Sequence, residues 1–128
     1  MALTFVEVKV INPAKETKHI TIQFMVDSGA IYSVIPQRFL TRLGIRPRSK
    51  KSFTLANGES VQRLVGDAVF EYAGERGASP VIFGKKGDST LLGTVTLEAL
   101  GLILDPLRRE IKPVPMVLGG LCDYMAPM

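Results

Sequence analysis

A mainly β, single-domain fold follows from three features of this 128-residue chain. Runs of alternating apolar and polar residues recur along it, which is the period-two pattern of half-buried strands. Glycine and proline fall between those runs and punctuate them as turns. Helical spacing is confined to two short stretches. The length suits one domain with a real core, and a hydrophobic content of 46% leaves apolar surface to spare, which an oligomer would use.

Composition narrows the chemistry. With a single cysteine, Cys122, and a single histidine, His19, neither an internal disulfide nor a Cys/His metal cluster can form, so no metal and no cofactor is expected. Cys122 reads as a bystander. No run approaches the roughly 20 apolar residues of a membrane span, and the opening MALTFVEVKV alternates and carries charge, so it reads as a strand rather than a signal peptide. The expectation is a cytoplasmic protein with no membrane partner. The net charge of +4 is partly concentrated in Arg42, Arg46, Arg48, Lys50 and Lys51. No nucleic-acid motif accompanies them, so they read as a solvated face and no nucleic acid is expected as a partner.

In chain order, Leu3 to Ile11 alternates as a strand, INPAKETKH follows as a polar connection, and Ile20 to Phe24 alternates again, making a hairpin. Ile31 to Ile35 is strand-like and Pro36 stops it, having no N–H for a ladder. Gln37 to Leu43 has the spacing of a short helix with Gly44 as its C-cap. The basic residues through Lys51 form a surface loop. Asn57-Gly58 lies between two strand-like runs in SFTLANGESVQRLVGDAVFEY, the pairing that predicts a type I′ hairpin with positive φ at both central positions. Val69 to Tyr72 continues that strand, Ala73 to Gly77 turns, Pro80 to Phe83 is a short strand, and Gly84 to Ser89 is a polar loop. Thr90 to Leu92 ends a strand at Gly93. A short helix with Leu97 and Leu100 on one face then runs to Gly101. Leu102 to Leu104 is a strand, Asp105-Pro106 a turn, and Arg108 to Val114 an edge strand confined there by its prolines. Residues 119–128 form a tail after a domain of residues 1–118.

The chain is organised around TIQFMVDSGAIYSVIP, residues 21–36. Asp27 follows the apolar run Phe24-Met25-Val26 and precedes a hydroxyl, a glycine and another apolar run. A carboxylate placed where two strands meet is partly withdrawn from water, and it must be paired, hydrogen-bonded or share a proton. Ser28 supplies a hydroxyl, and Gly29 lets the backbone come close to the carboxylate or a ligand. Asp-Ser-Gly is also ordinary turn chemistry. Asp105 and Asp123 lack the Ser/Thr-Gly that would hold a catalytic acid, and Asp105 reads as turn chemistry.

The pattern apolar-apolar-Asp-Ser-Gly-Ala resembles the catalytic loop of the retropepsin-like aspartic proteases. A second block, Leu91-Leu92-Gly93 with the helix and strand after it, also resembles theirs, and the Asn57-Gly58 hairpin lies between the two. The resemblance covers about Phe5 to Val114 and is closer to cellular or prokaryotic single-domain members than to viral enzymes. It implies a closed β-barrel with a flap hairpin and one short C-terminal helix. It also implies an aspartic endopeptidase acting on peptide or protein substrates as a homodimer, since the chain has one motif and the chemistry needs two carboxylates. Asp27 would be the acid/base, Ser28 would brace the paired loops, Gly29 would admit substrate, and Ala30 would line the cleft. Leu91, Leu92 and Gly93 would support the loop, with Leu92 also bordering substrate, and Asn57 and Gly58 would cover it. The same fold without turnover, a dimeric peptide-binding or assembly module, is the alternative.

Overall fold

A computed structural model describes residues 3–114 of the chain; Cys122, Asp123, the tail 119–128 and the boundary at 118 lie outside them. Among the described residues, nine strands and two helices run in the order β1 (Phe5–Asn12), β2 (Lys15–Val26), β3 (Ser33–Pro36), α1 (Gln37–Arg42), β4 (Ser49–Thr54), β5 (Ser60–Tyr72), β6 (Glu75–Gly84), β7 (Leu91–Leu92), α2 (Thr94–Ala99), β8 (Leu102–Asp105) and β9 (Glu110–Pro113).

The first seven strands form one sheet in the order β1-β2-β7-β3-β6-β5-β4. Its two ends meet, because Lys9–Ile11 of β1 also pair with Val69–Glu71 of β5. Six strands therefore close into a ring, and β4 hangs outside it on β5. Alternation fills the ring's interior. Val8, Val10, Phe24, Ile35, Phe70, Val81 and Leu92 all point inward with no exposed surface, and Phe24 and Phe70 meet at the centre with ring centroids 6.1 Å apart. A ring also removes the open edges that a sheet of this size would otherwise present. β8 and β9 form a separate antiparallel pair, tied back through Val114 N–H to the Gly101 carbonyl at 2.8 Å. No helix among the described residues is long and apolar enough to cross a membrane.

Four local expectations change. The polar connection after Ile11 is nearly all strand, for β2 starts at Lys15 and leaves only Pro13-Ala14 as the turn. There Asn12 is buried, accepting the Ala14 N–H at 2.8 Å and donating to the Leu43 carbonyl at 2.8 Å. The Ala73–Gly77 turn likewise shrinks to Ala73-Gly74, both at positive φ, with β6 already paired from Glu75. The basic loop ends early, since Ser49–Thr54 pair with Ser60–Val65 as β4; lysines suit this exposed edge strand. The Asn57-Gly58 hairpin forms, but not through a type I′ turn. Only Gly58 has positive φ, Gly58 N–H closes a turn on Leu55 O at 2.9 Å, and the Asn57 side chain accepts the Glu59 N–H at 2.9 Å. Three residues thus bridge Leu55 and Glu59, as in a turn followed by a glycine bulge.

Candidate active site

The loop after β2 is held from one side by the chain's second apolar block. β7 slots between β2 and β3, parallel to the first and antiparallel to the second. Met25 N–H donates to Thr90 O at 3.0 Å and Asp27 N–H to Leu92 O at 3.1 Å. Inside the loop, Gly29 N–H donates to Asp27 Oδ1 at 2.9 Å, and Ala30 N–H to the Asp27 carbonyl at 3.1 Å. A Cβ on Gly29 would stand 3.2 Å from that same carboxylate oxygen. Beyond the loop, the first turn of α2 uses N–H groups that a helix cannot satisfy itself: Thr94 donates to Ala30 O at 2.9 Å and Val95 to Ile31 O at 3.0 Å. This approach requires Gly93, where a Cβ would lie 2.6 Å from the Tyr32 carbonyl carbon and 2.7 Å from Ile31 O.

Beneath the loop runs a chain of hydroxyls that sequence reasoning missed. Ser33, Ser79 and Thr96 are exposed by 0, 2 and 0%. Ser79 Oγ donates to Pro80 O at 3.1 Å and is left to accept from Thr96 Oγ1 at 2.9 Å. Thr96 therefore accepts from the Ser33 hydroxyl, and Ser33 Oγ accepts the Gly93 N–H at 2.9 Å. Every hydroxyl donates once and accepts once, so the buried polar atoms are satisfied in a single direction. Buried serines at 33 and 79 lie on strands, where their sequence context reads as an outward polar position.

Asp27 is half-buried, while Ser28 and Gly29 are exposed and Ala30 is half-buried. The Asp27 carboxylate borders an open groove shared with Leu3, Met25, Ser28, Leu104 and Arg109, and it joins no ion pair among the described residues. Leu92 is fully buried, touching the loop from below through its carbonyl. Asn57 and Gly58 are exposed at the tip of the β4–β5 hairpin. The arm of that hairpin reaches the segment after Asp27: Phe53 meets Tyr32 edge-on with centroids 5.9 Å apart, and Lys51 Nζ lies 5.8 Å from the Tyr32 ring. Asp105 accepts the N–H groups of Leu107 and Arg108 in its own turn. No group of three His, Cys, Asp or Glu side chains able to hold a metal occurs among the described residues.

The arrangement provides a half-buried carboxylate on a hydrogen-bonded, glycine-bearing loop, braced by a second block about 60 residues further on. Among curated proteins no relative matches the sequence. The fold is similar to the solution structure of the simian foamy virus (mac) protease, with a TM-score of 0.52 and 22% identity over 74% of this chain and 92% of that one. Residues 6–71, which carry the Asp27 loop and the hairpin, match the family model described as aspartyl protease. With more than half its length inside that family and its strands in the retroviral protease arrangement, the chain belongs to the aspartyl proteases, in their retropepsin-like form.

Proposed function

We propose that the chain is an aspartic endopeptidase that works as a homodimer, with Asp27 of each subunit meeting at a two-fold axis. The observation that carries this reading is the Asp27 carboxylate, half-buried beside an open groove, with one oxygen held by Gly29 N–H and no ion pair to it among the described residues. A carboxylate so placed is incomplete within one subunit. A second carboxylate about 3 Å away would share its proton, because like charges at that distance cannot both ionise. One Asp27 then takes a proton from the attacking water while the other, protonated, donates to the carbonyl oxygen of the scissile amide. The tetrahedral intermediate collapses as its nitrogen is protonated and the amine leaves. The apparent pKa values belong to the pair.

Around this centre, Ser28 would brace the two loops through hydroxyl hydrogen bonds, Gly29 would give substrate access to the backbone, and Ala30 would line the cleft. Leu92, with Leu91 and Gly93, holds the loop rather than exposing a side chain to substrate. The β4–β5 hairpin would be the flap, with Asn57 and Gly58 covering substrate. Leu3, which lines the groove that Asp27 borders, is 59% exposed, and Phe5 and Ile103, next in sequence to the lining residues Thr4 and Leu104, are exposed by 54 and 49%; apolar side chains that a monomer leaves in water favour an isologous partner.

The test is cleavage of a diverse unfolded peptide pool from about pH 3 to 8, the span in which carboxylate dyads titrate. Wild type and Asp27→Asn are compared at concentrations where sedimentation shows both as dimers. Cleavage by the wild type alone supports the reading, and the cut sites report the pocket preferences. An intact dimer that cuts nothing leaves the fold as a peptide-binding or assembly module. Equal cleavage by both removes Asp27 from the chemistry.

A further inference from the structure

The β4–β5 hairpin is poorly supported by its own ladder. β5 pairs with β6 only from Val65 to Tyr72, so residues 49–64 extend beyond the ring with no third strand beside them. A two-stranded ribbon is marginal by itself in water. Its pose is therefore set by side chains at its base, and on the β5 arm one contact stands out. Arg63 Nε donates to Asp88 Oδ2 at 2.8 Å and Nη2 to Asp88 Oδ1 at 3.0 Å, while Nη1 donates to the Gln62 carbonyl at 2.9 Å. All three guanidinium nitrogens are used. The two side chains are exposed by only 17 and 25%, which makes this the most shielded ion pair among the described residues; Arg48–Asp67 and Arg76–Glu16 stand at 46/50% and 47/61%.

The carboxylate also organises the loop it belongs to. Asp88 Oδ2 accepts the Lys85 N–H at 2.8 Å, and Asp88 N–H donates to the Lys85 carbonyl at 2.9 Å. Two residues later Thr90 accepts from Met25, and two after that Leu92 accepts from Asp27. A rigid bidentate pair thus joins the hairpin to the segment whose far end holds the candidate catalytic loop.

We infer that Arg63 and Asp88 are positioning residues, a latch that fixes the hairpin over the Asp27 loop and sets how readily it opens to substrate. This rests on the reading of the hairpin as a flap. With the latch broken, the β5 arm is released while the β4 arm keeps its Phe53–Tyr32 contact, so the hairpin swings open without leaving the ring. Binding suffers more than chemistry.

The experiment is amide hydrogen exchange on the full chain, without substrate, comparing wild type with Asp88→Asn. Asparagine can still accept the Lys85 N–H, so the loop keeps its turn and only the ionic fork is lost. Exchange in residues 51–63 is expected to rise about tenfold or more, the scale of a charge-assisted hydrogen bond, with amides of 65–72 unchanged. Unchanged hairpin exchange overturns the latch, and so does a uniform rise through the core strands, which would make the pair a general stabilising contact. In peptide cleavage the Asn variant should show a severalfold higher KM with kcat nearly constant; a fall in kcat at constant KM overturns the positioning role. Because exchange needs no turnover, a wild type that cuts nothing would sink the protease reading while leaving the latch to be judged separately.

Discussion

Gly93 and Thr96 show how strictly single residues fix the Asp27 loop. Replacing Gly93 by alanine drives a methyl to within 2.7 Å of Ile31 O, and because the obstacle is backbone, α2 and the loop must separate. Overpacking of this kind costs typically about 1–3 kcal/mol, so urea denaturation should show a loss on that scale. Activity should fall further than stability, since Thr94 and Val95 would no longer reach the Ala30 and Ile31 carbonyls. Thr96→Val keeps the shape but leaves the Ser33 O–H without an acceptor and Ser79 Oγ without a donor, at about 1–3 kcal/mol for the unmet buried groups. Thr96→Ser retains both bonds and should lose clearly less. Equal stability of the Val and Ser variants would contradict the one-way hydroxyl chain. The Asp27 motif was legible because its residues are contiguous and each type has a local task. The hydroxyl chain was not, because Ser33 and Thr96 are 63 positions apart, and no local pattern marks a serine whose partner is supplied by closure of a ring.

At the level of elements, the Arg63–Asp88 pair at the β4–β5 hairpin predicts a pH dependence separate from that of the proposed dyad. The Arg63 hydrogen bond, with a smaller contribution from Lys85, holds the Asp88 carboxyl below its ordinary value of 3.8. A group whose folded value is depressed contributes stability above its unfolded value and loses it as pH falls through the folded one. The stability difference between wild type and Asp88→Asn should therefore stay flat from neutral pH down to about 4.5 and shrink below 3.8. A difference that already fades between about pH 7 and 5, well above the carboxylate range, would mean that another group titrates. The hairpin itself was readable from Asn57-Gly58. Its turn was not, because asparagine can serve either by adopting positive φ or by accepting an N–H with its side chain, and the same two letters encode both. The second half of β4 reads as strand from Ser52 onward, but Ser49-Lys50-Lys51 reads as loop because it has no apolar alternation. β4 lies outside the ring with most of its residues exposed, so burial imprints no period on it.

For the whole molecule, the ring bears on why one chain would supply only half of the proposed site. Pairing of β1 with β5 closes the ring on its own core, and among the described residues Asp27 is the one acid that lines its groove. Alternation foretold strands but not this closure, which depends on Lys9–Ile11 meeting Val69–Glu71 across about 60 residues. Among the described residues the exposed large apolar side chains are Leu3, Phe5, Ile31, Leu55, Ile103 and Leu107, at 59, 54, 63, 43, 49 and 92%. If the proposed dyad forms between copies, catalysis is a property of pairs and must follow mass action. Specific activity should then fall on dilution through the dimer dissociation range. Mixing gives the sharper test. Asp27→Asn subunits keep the loop's main-chain bonds and should pair normally, but a mixed dimer has one ionisable carboxyl and cannot share a proton. With variant in ninefold excess and time for exchange, only about one tenth of wild-type subunits retain a wild-type partner, so activity per wild-type subunit should drop about tenfold. Activity unaffected by that excess, under conditions where exchange is seen directly with a labelled subunit, would mean that each Asp27 works without a partner's carboxylate.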